Sequence, residues 1–198
     1  MDSCLIVLDG IDGSGKSTQA RLLKEFFEEC GEKSASVHEP GTDTEIGREI
    51  KRLVKSEEAR KMNKEDWVGM FTKERKETLL KTIIPALKKG KIVIADRYYY
   101  STLAYQLDED EWKSYAGLFK KPDLAIILDI PIPEAMKRIA RKNREQGIRR
   151  AIFEESKRLE KTRAKFLKMK KFKEVRIIDG KMDVESVFWN ILKEVARL

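Results

Sequence analysis

Short extended runs of mostly apolar residues alternate along the chain with longer stretches in which apolar residues recur at helical spacing. The extended runs predict strands at Cys4–Leu8, Ser34–His38, Lys91–Ala95, Leu124–Asp129 and Glu174–Ile178. The helical patterns lie at Lys16–Glu29, Glu45–Lys55, Lys64–Lys89, Pro133–Asn143, Phe153–Lys168 and Val184–Arg197. Because strands and helices alternate, we predict a three-layer α/β/α fold around a five-stranded parallel sheet. No repeat or low-complexity linker divides residues 1–198, which we expect to form one domain.

A glycine-rich segment connects the first predicted strand to the first predicted helix. It reads Gly10-Ile11-Asp12-Gly13-Ser14-Gly15-Lys16-Ser17-Thr18. Glycines allow the backbone to turn its N–H groups toward an anion, and the new helix and Lys16 add positive charge at the same place. In this strand–loop–helix context, the pattern indicates a phosphate-binding P-loop, with the Ser17 hydroxyl on the Mg²⁺ of a nucleoside triphosphate. A simple glycine turn is the alternative.

Polar residues follow the predicted strands where a parallel sheet places its ligand, outside the carboxyl ends. Asp96 ends an apolar run and is the expected second ligand of the Mg²⁺. Arg97 follows it and could hold a second phosphate through two hydrogen bonds. A salt bridge at the strand end is the alternative. The next residues, 98–106, are rich in hydroxyls and aromatic rings, which suit a flat, hydrogen-bonding ligand.

Taken together, these motifs resemble those of the thymidylate kinase family, within the P-loop nucleoside monophosphate kinases. The matching segments are Gly10–Thr18, Glu39-Pro40-Gly41, Phe71-x-x-x-Arg75, Asp96-Arg97-Tyr98, Ser101-Thr102-x-Ala104-Tyr105-Gln106 and Leu128-Asp129. The tyrosine-rich segment after Asp96 is far more specific to this family than the P-loop. The resemblance implies a P-loop NTPase fold, the reaction ATP + dTMP = ADP + dTDP, Mg²⁺ as the metal and a homodimeric assembly.

The resemblance also implies which side chains recognise the nucleoside of dTMP. Phe71 and Arg75 lie four residues apart and therefore on one helix face, where the ring could stack on the base and the guanidinium could reach a thymine carbonyl. Thr102 and Gln106 would contact the base. Tyr105 would lie against the deoxyribose and leave no room for a 2′-hydroxyl. The alternative is an ordinary amphipathic helix with Phe71 in the core and Arg75 in water.

A second set of implied roles concerns the reacting phosphates. Arg97 would hold the acceptor phosphate, and Asp12 would contact the sugar 3′-hydroxyl and the metal's surroundings. Lys16 would act on the transferred phosphate, while Glu39 would support the acceptor site from the next loop. We therefore predict Lys16, Asp12 and Arg97 as catalytic residues.

An arginine-rich stretch at about 141–151 resembles the lid that closes over ATP in these kinases. Some family members carry an arginine in the P-loop where this chain has Gly13, which resembles the subgroup that supplies it from the lid. We therefore predict that Arg141 contacts ATP and that the transition-state arginine comes from 141–150, although the pattern does not show which arginine it is. Arg144, Arg149 and Arg150 are predicted catalytic residues. A solvated basic helix is the alternative.

The loop after the second strand departs from the family pattern. His38 and Thr42 stand where many relatives have arginine and glycine, so we expect the fine geometry of this loop to differ from theirs. His38 is the only histidine of the chain, and we expect it to be structural.

Composition limits the classes of partner. The net charge is +8, which suits either a nucleic-acid binder or a cleft that holds several phosphates; we expect the latter and no nucleic acid. Without a long apolar span or a signal peptide, we expect a cytoplasmic protein with no membrane contact. A nucleotide-binding switch remains an alternative, although no guanine-reading Asn/Thr-Lys-x-Asp segment follows a late strand. A kinase for another acceptor, such as dUMP, is a further alternative.

Overall fold

The computed structural model describes residues 2–54, 56–145 and 152–198. Its sheet has five parallel strands in the order β2-β3-β1-β4-β5, which confirms the predicted sheet. The strands are β1 (Leu5–Asp9), β2 (Ser34–His38), β3 (Ile92–Asp96), β4 (Leu124–Asp129) and β5 (Val175–Asp179). The strands β2 and β3 lie on one side of β1, and β4 and β5 lie on its other side. The carboxyl ends of β1, β3 and β4 therefore meet around the P-loop.

Helices cover both faces of the sheet. They are α1 (Lys16–Glu29), α2 (Glu45–Leu53), α3 (Lys64–Thr78), α4 (Ile84–Lys88), α5 (Tyr99–Tyr105), α6 (Trp112–Ala116), α7 (Ile132–Glu145), α8 (Ile152–Lys168) and α9 (Val184–Val195). Alternate β1 residues enter two separate cores: Ile6 and Leu8 face α1 and α9, whereas Leu5 and Val7 face the core of α5 and α8. These three layers explain why the central strands β1, β3 and β4 are almost entirely apolar.

The structure differs from the sequence-based prediction in two places. The pattern at Lys64–Lys89 is divided, because a π-helical segment at Leu79–Ile83 separates α3 from α4. Pro85 lies in the first turn of α4 and has no N–H to donate to the preceding turn, which accounts for the local irregularity. Helices α5 and α6 were not predicted, since they are short and α5 is rich in tyrosine, a modest helix former. Tertiary packing stabilises them.

Within the described residues, no helix combines the length and apolar character needed to cross a bilayer.

Candidate functional site

The P-loop occupies the carboxyl end of β1 and leads directly into α1. Gly10, Gly13 and Gly15 have φ angles of 140°, 83° and 96°, in the region that L side chains rarely adopt. The loop thereby closes around the buried side chain of Lys16, whose Nζ donates to Ile11 O at 3.1 Å. The structure thus has the compact glycine turn that a phosphate-binding loop requires.

Two of the loop glycines are also required by close packing. A Cβ at Gly10 would lie 2.6 Å from Leu128 O, and one at Gly13 would lie 2.7 Å from Ala135 O. The second contact is with the backbone of α7, so position 13 has no room for any side chain. Gly13 is therefore a packing requirement of this fold as well as a departure from relatives with an arginine there.

Burial and neighbouring charges set the ionisation of the loop. Burial, followed by the nearby charge of Arg97, lowers the pKa of Lys16 to about 8. Burial would raise the pKa of Asp12, but Arg97 and Lys16 outweigh it and hold that pKa at about 2. Arg97 Nη2 donates directly to Asp12 Oδ1. Asp12 is therefore a carboxylate at neutral pH, with a guanidinium on one side and an ammonium 3.9 Å away.

Arg97 occupies a strained position between β3 and α5. Its φ of 75° makes it the only non-glycine residue with positive φ among the described residues. The backbone N–H of Arg97 donates to Leu8 O at 2.9 Å, and its Nη1 donates to Ser101 Oγ at 2.8 Å. Backbone strain of about 1–3 kcal/mol is commonly found at functional sites, where surrounding contacts maintain it. Here the contacts aim the guanidinium at the P-loop.

Asp9, which the sequence analysis missed, joins the P-loop to α5. This fully buried carboxylate accepts from Gly10 N at 2.9 Å, from Tyr98 N at 3.2 Å, and from Ser101 N and Oγ at 2.9 and 2.7 Å. Burial raises its pKa above the ordinary value for aspartate. The available signal was an acid at the end of an apolar strand, directly before the loop. Apart from Gly10, its partners are about ninety residues away, so the sequence could not identify them.

The predicted metal residues lie together beside the loop. Ser17 and Asp96 line the same cavity of about 360 Å³. Asp96 Oδ2 contacts His38 Nδ1 at 2.8 Å, whereas Asp96 Oδ1 is buried and has no hydrogen-bond partner. No cluster of three or more His, Cys, Asp or Glu side chains that could hold a metal is found in residues 2–54, 56–145 and 152–198. One carboxylate and one hydroxyl nevertheless fit Mg²⁺, which takes few protein ligands when phosphates bind it.

A buried ion pair connects the predicted acceptor residues. Arg75 Nε donates to Glu39 Oε2 at 2.6 Å, and both side chains are 1% exposed. The Arg75 Nη1 atom donates to Thr102 Oγ1 at 3.2 Å and to Tyr115 Oη at 3.0 Å, and its Nη2 donates to Tyr98 O at 3.3 Å. Burial raises the pKa of Glu39, although Arg75 opposes the shift. Arg75 is therefore part of an internal network, not a solvent-facing side chain.

The remaining acceptor candidates lie on α3 and α5. Phe71 is partly buried, and its ring centroid is 6.0 Å from that of Trp67. The Tyr105 ring lies 5.9 Å from the guanidinium carbon of Arg97, and its buried Oη has no hydrogen-bond partner. Gln106 follows directly after α5. Tyr105 thus lies beside Arg97, which in turn contacts Asp12 of the P-loop.

Only part of the predicted lid is described. Arg149 and Arg150 lie outside the described residues, and Arg141 and Arg144 are exposed on the last turns of α7. Closer to the loop, Arg138 Nη1 donates to Gly180 O at 3.2 Å and approaches Gly13 O at 3.5 Å. Arg138 begins the arginine-rich stretch that resembles the lid, but its contact with the backbone beside the P-loop was not predicted. It also pairs with Glu134, four residues earlier, at 2.9 Å.

The sequence of this chain is similar to those of known proteins over nearly its whole length. Residues 8–191 match the family model described as Thymidylate kinase. A probable thymidylate kinase of Pyrococcus abyssi is 42% identical over 97% of this chain and 95% of its own length. A probable thymidylate kinase of Thermococcus kodakarensis is 39% identical over 98% and 97%, respectively. A thymidylate kinase of Desulfotalea psychrophila is 32% identical over 98% and 95%.

Proposed function

This chain belongs to the thymidylate kinase family, and we propose that it transfers the γ-phosphoryl group of ATP to dTMP, forming ADP and dTDP. The observation that carries the proposal is the position of Arg97. Its guanidinium contacts Asp12 of the P-loop and Ser101 of α5, so one side chain joins the donor-binding loop to the helix of the acceptor candidates. In-line transfer needs the two phosphates to meet at such a point.

The donor side of the proposed reaction uses the P-loop. Its backbone N–H groups and Lys16 would hold the β- and γ-phosphates of ATP. Ser17 and Asp96 would hold Mg²⁺, since Asp96 Oδ1 is a buried acceptor without a partner. When bound, Mg²⁺ neutralises charge on the phosphates. Lys16 would contribute the same kind of neutralisation, because its ammonium is buried and has few competing acceptors.

On the acceptor side, Arg97 would bind the phosphate of dTMP, and Asp12 would orient both Arg97 and the sugar. For the base, we propose Phe71, Arg75, Thr102 and Gln106, with Tyr105 against the deoxyribose and Glu39 holding Arg75 in place. Four hydrogen bonds to protein acceptors leave one of the five Arg75 N–H donors for a base carbonyl. The acceptor phosphate is already an anion, so the reaction needs no dedicated general base.

An acceptor panel tests the proposed function. ADP formation is measured with ATP and dTMP, dUMP, dCMP or thymidine. We expect the highest kcat/KM for dTMP, with dUMP lower by about 10–200-fold, because an apolar pocket gains about 1–3 kcal/mol from the thymine methyl group. A better acceptor than dTMP would contradict the substrate assignment. ADP release at the same rate without any acceptor would instead favour a nucleotide switch or hydrolase.

The source of the transition-state arginine is part of the same proposal. Gly13 leaves no room for an arginine in the P-loop, so we propose one from Arg141, Arg144, Arg149 and Arg150. Alanine substitution of each should reveal one dominant loss of kcat, of about 10³–10⁵-fold. Equally small losses at all four positions would contradict a lid arginine.

We further propose that the protein is a cytoplasmic homodimer. Val54 and Leu80 are 43% and 66% exposed, and they follow α2 and α3, respectively, where we place the subunit interface. An interface between two copies would remove these apolar side chains from water.

A further inference from the structure

His38 occupies the last position of β2, which is an edge strand of the sheet. Its side chain is 48% exposed and lines the cavity that Ser17 and Asp96 also line. A half-exposed side chain on an edge strand contributes little to the core. A structural role is what the sequence predicts for His38, yet one specific contact with the site sets the position of its ring.

That contact is with Asp96. His38 Nδ1 lies 2.8 Å from Asp96 Oδ2, across 58 residues of sequence. The side chain of an aspartate is ordinarily ionised at neutral pH. A charged carboxylate can only accept, and the ring Nδ1–H is therefore the donor.

The two carboxylate oxygens consequently differ. Oδ2 is occupied by the imidazole, while Oδ1 is buried and has no hydrogen-bond partner. A buried acceptor without a partner is unfavourable unless a ligand satisfies it. Rotation of the carboxylate would exchange its oxygens, and the His38 hydrogen bond opposes that rotation.

We propose that His38 is a positioning residue for the metal: its Nδ1–H fixes Oδ2 of Asp96 so that Oδ1 remains directed to the Mg²⁺ that accompanies the nucleotide. The inference rests on the proposed nucleotide-binding site. His38 touches neither nucleotide nor metal in this arrangement, and it acts only through Asp96. Hydrogen bonds of this kind orient metal-binding carboxylates, and their removal typically weakens metal affinity.

Metal binding is measured directly, with Mn²⁺ as the probe, by paramagnetic resonance on the protein–ADP complex. His38→Ala removes the donor, and we expect about tenfold weaker Mn²⁺ affinity. His38→Asn places an amide N–H near the position of Nδ1 and should restore most of the loss. Ser36→Ala changes another exposed residue of β2 that lines the same cavity, and should leave the affinity unchanged.

Two further measurements separate positioning from a structural effect. ADP affinity in EDTA should be equal for the wild type and His38→Ala, and the Mg²⁺ concentration for half-maximal activity should rise while the KM for dTMP stays constant. Unchanged Mn²⁺ affinity in His38→Ala would overturn the inference, as would no restoration in a folded His38→Asn or a wild-type ADP complex that binds no Mn²⁺. A wild type that binds Mn²⁺ normally but does not phosphorylate dTMP would contradict the proposed function alone.

Discussion

Lys16 illustrates how burial prepares a single residue for an anion. Its ammonium is almost completely enclosed, with Ile11 O as an acceptor and Asp12 as the nearest carboxylate in an ion pair. Burial disfavours the charged form, and the neighbouring Arg97 adds repulsion, so the pKa falls from 10.5 to about 8. A bound phosphate would reverse this effect because it favours the charged ammonium.

This shift predicts a pH dependence of ATP binding. Between about pH 7 and pH 8 Lys16 is mostly protonated before ATP binds, so the affinity for ATP should stay nearly constant. Above about pH 8 Lys16 must take up a proton when ATP binds, so the affinity should fall about tenfold per pH unit. Titration calorimetry without an acceptor measures the change and the proton uptake. In Lys16→Arg the side chain stays charged, so its affinity should not depend on pH in this range. Constant wild-type affinity up to about pH 9.5, well above the Lys16 pKa, would contradict the assignment.

At the scale of elements, the P-loop depends on its contact with α7. The backbone at Gly13 packs against Ala135, and Arg138 of the same helix reaches both Gly180 O and the vicinity of Gly13 O. The predicted phosphate-binding loop thus packs against the helix that leads into the predicted lid. A movement of α7 would therefore also displace the backbone of the P-loop at Gly13.

Gly13→Ala tests this contact. The new Cβ would clash with the α7 backbone, so we expect a loss of stability of about 1–3 kcal/mol beyond the backbone strain, together with weaker ATP binding. Gly31→Ala is the matched control, since Gly31 has a similar φ of 77° but no atom within 4 Å of its Cβ position. Gly31→Ala should lower the free energy of unfolding only by the cost of a positive φ angle, about 1–2 kcal/mol. Urea unfolding and ATP titration measure both variants, and equal losses would contradict the argument.

The acceptor elements are held together by buried polar contacts. Arg75 of α3 pairs with Glu39 after β2 and donates to α5 through Thr102, while Asp9 of β1 accepts from the start of α5. Hydrogen bonds to charged buried groups are strong, and breaking one leaves a costly unpaired charge. These contacts explain why a seven-residue helix with modest propensity has one defined position.

For the whole molecule, the proposed homodimer predicts that a single charge at the subunit interface separates the two copies. Leu80→Glu places a charge on the proposed interface and should convert a homodimer into monomers, because burying an unpaired carboxylate is costly. Sedimentation velocity measures the mass. Trp189→Glu is the control: Trp189 is 56% exposed on α9, a helix on the other face of the sheet, and this change should leave the dimer intact. A monomeric wild type would contradict the proposal.

Much of this architecture follows from local pattern. Apolar runs at strand spacing, separated by amphipathic helices, were sufficient for the five-stranded parallel sheet, since a strand covered on both faces must be apolar throughout. The P-loop was equally readable because glycines, Lys16 and Ser17 act within one short turn. The order of elements also placed Asp96 and Arg97 at the same sheet edge as that loop.

Contacts between distant residues were decided only by the tertiary structure. His38 meets Asp96 across 58 residues, Arg75 meets Glu39 across 36, and Ser101 meets Asp9 across 92. Each contact depends on which strands and helices become neighbours and on how burial changes the energy of a charge. The spacing of residues along the chain determines neither. The chain thus specifies its layers and its phosphate loop by local pattern, whereas the partners of its buried charges arise only when the layers pack together.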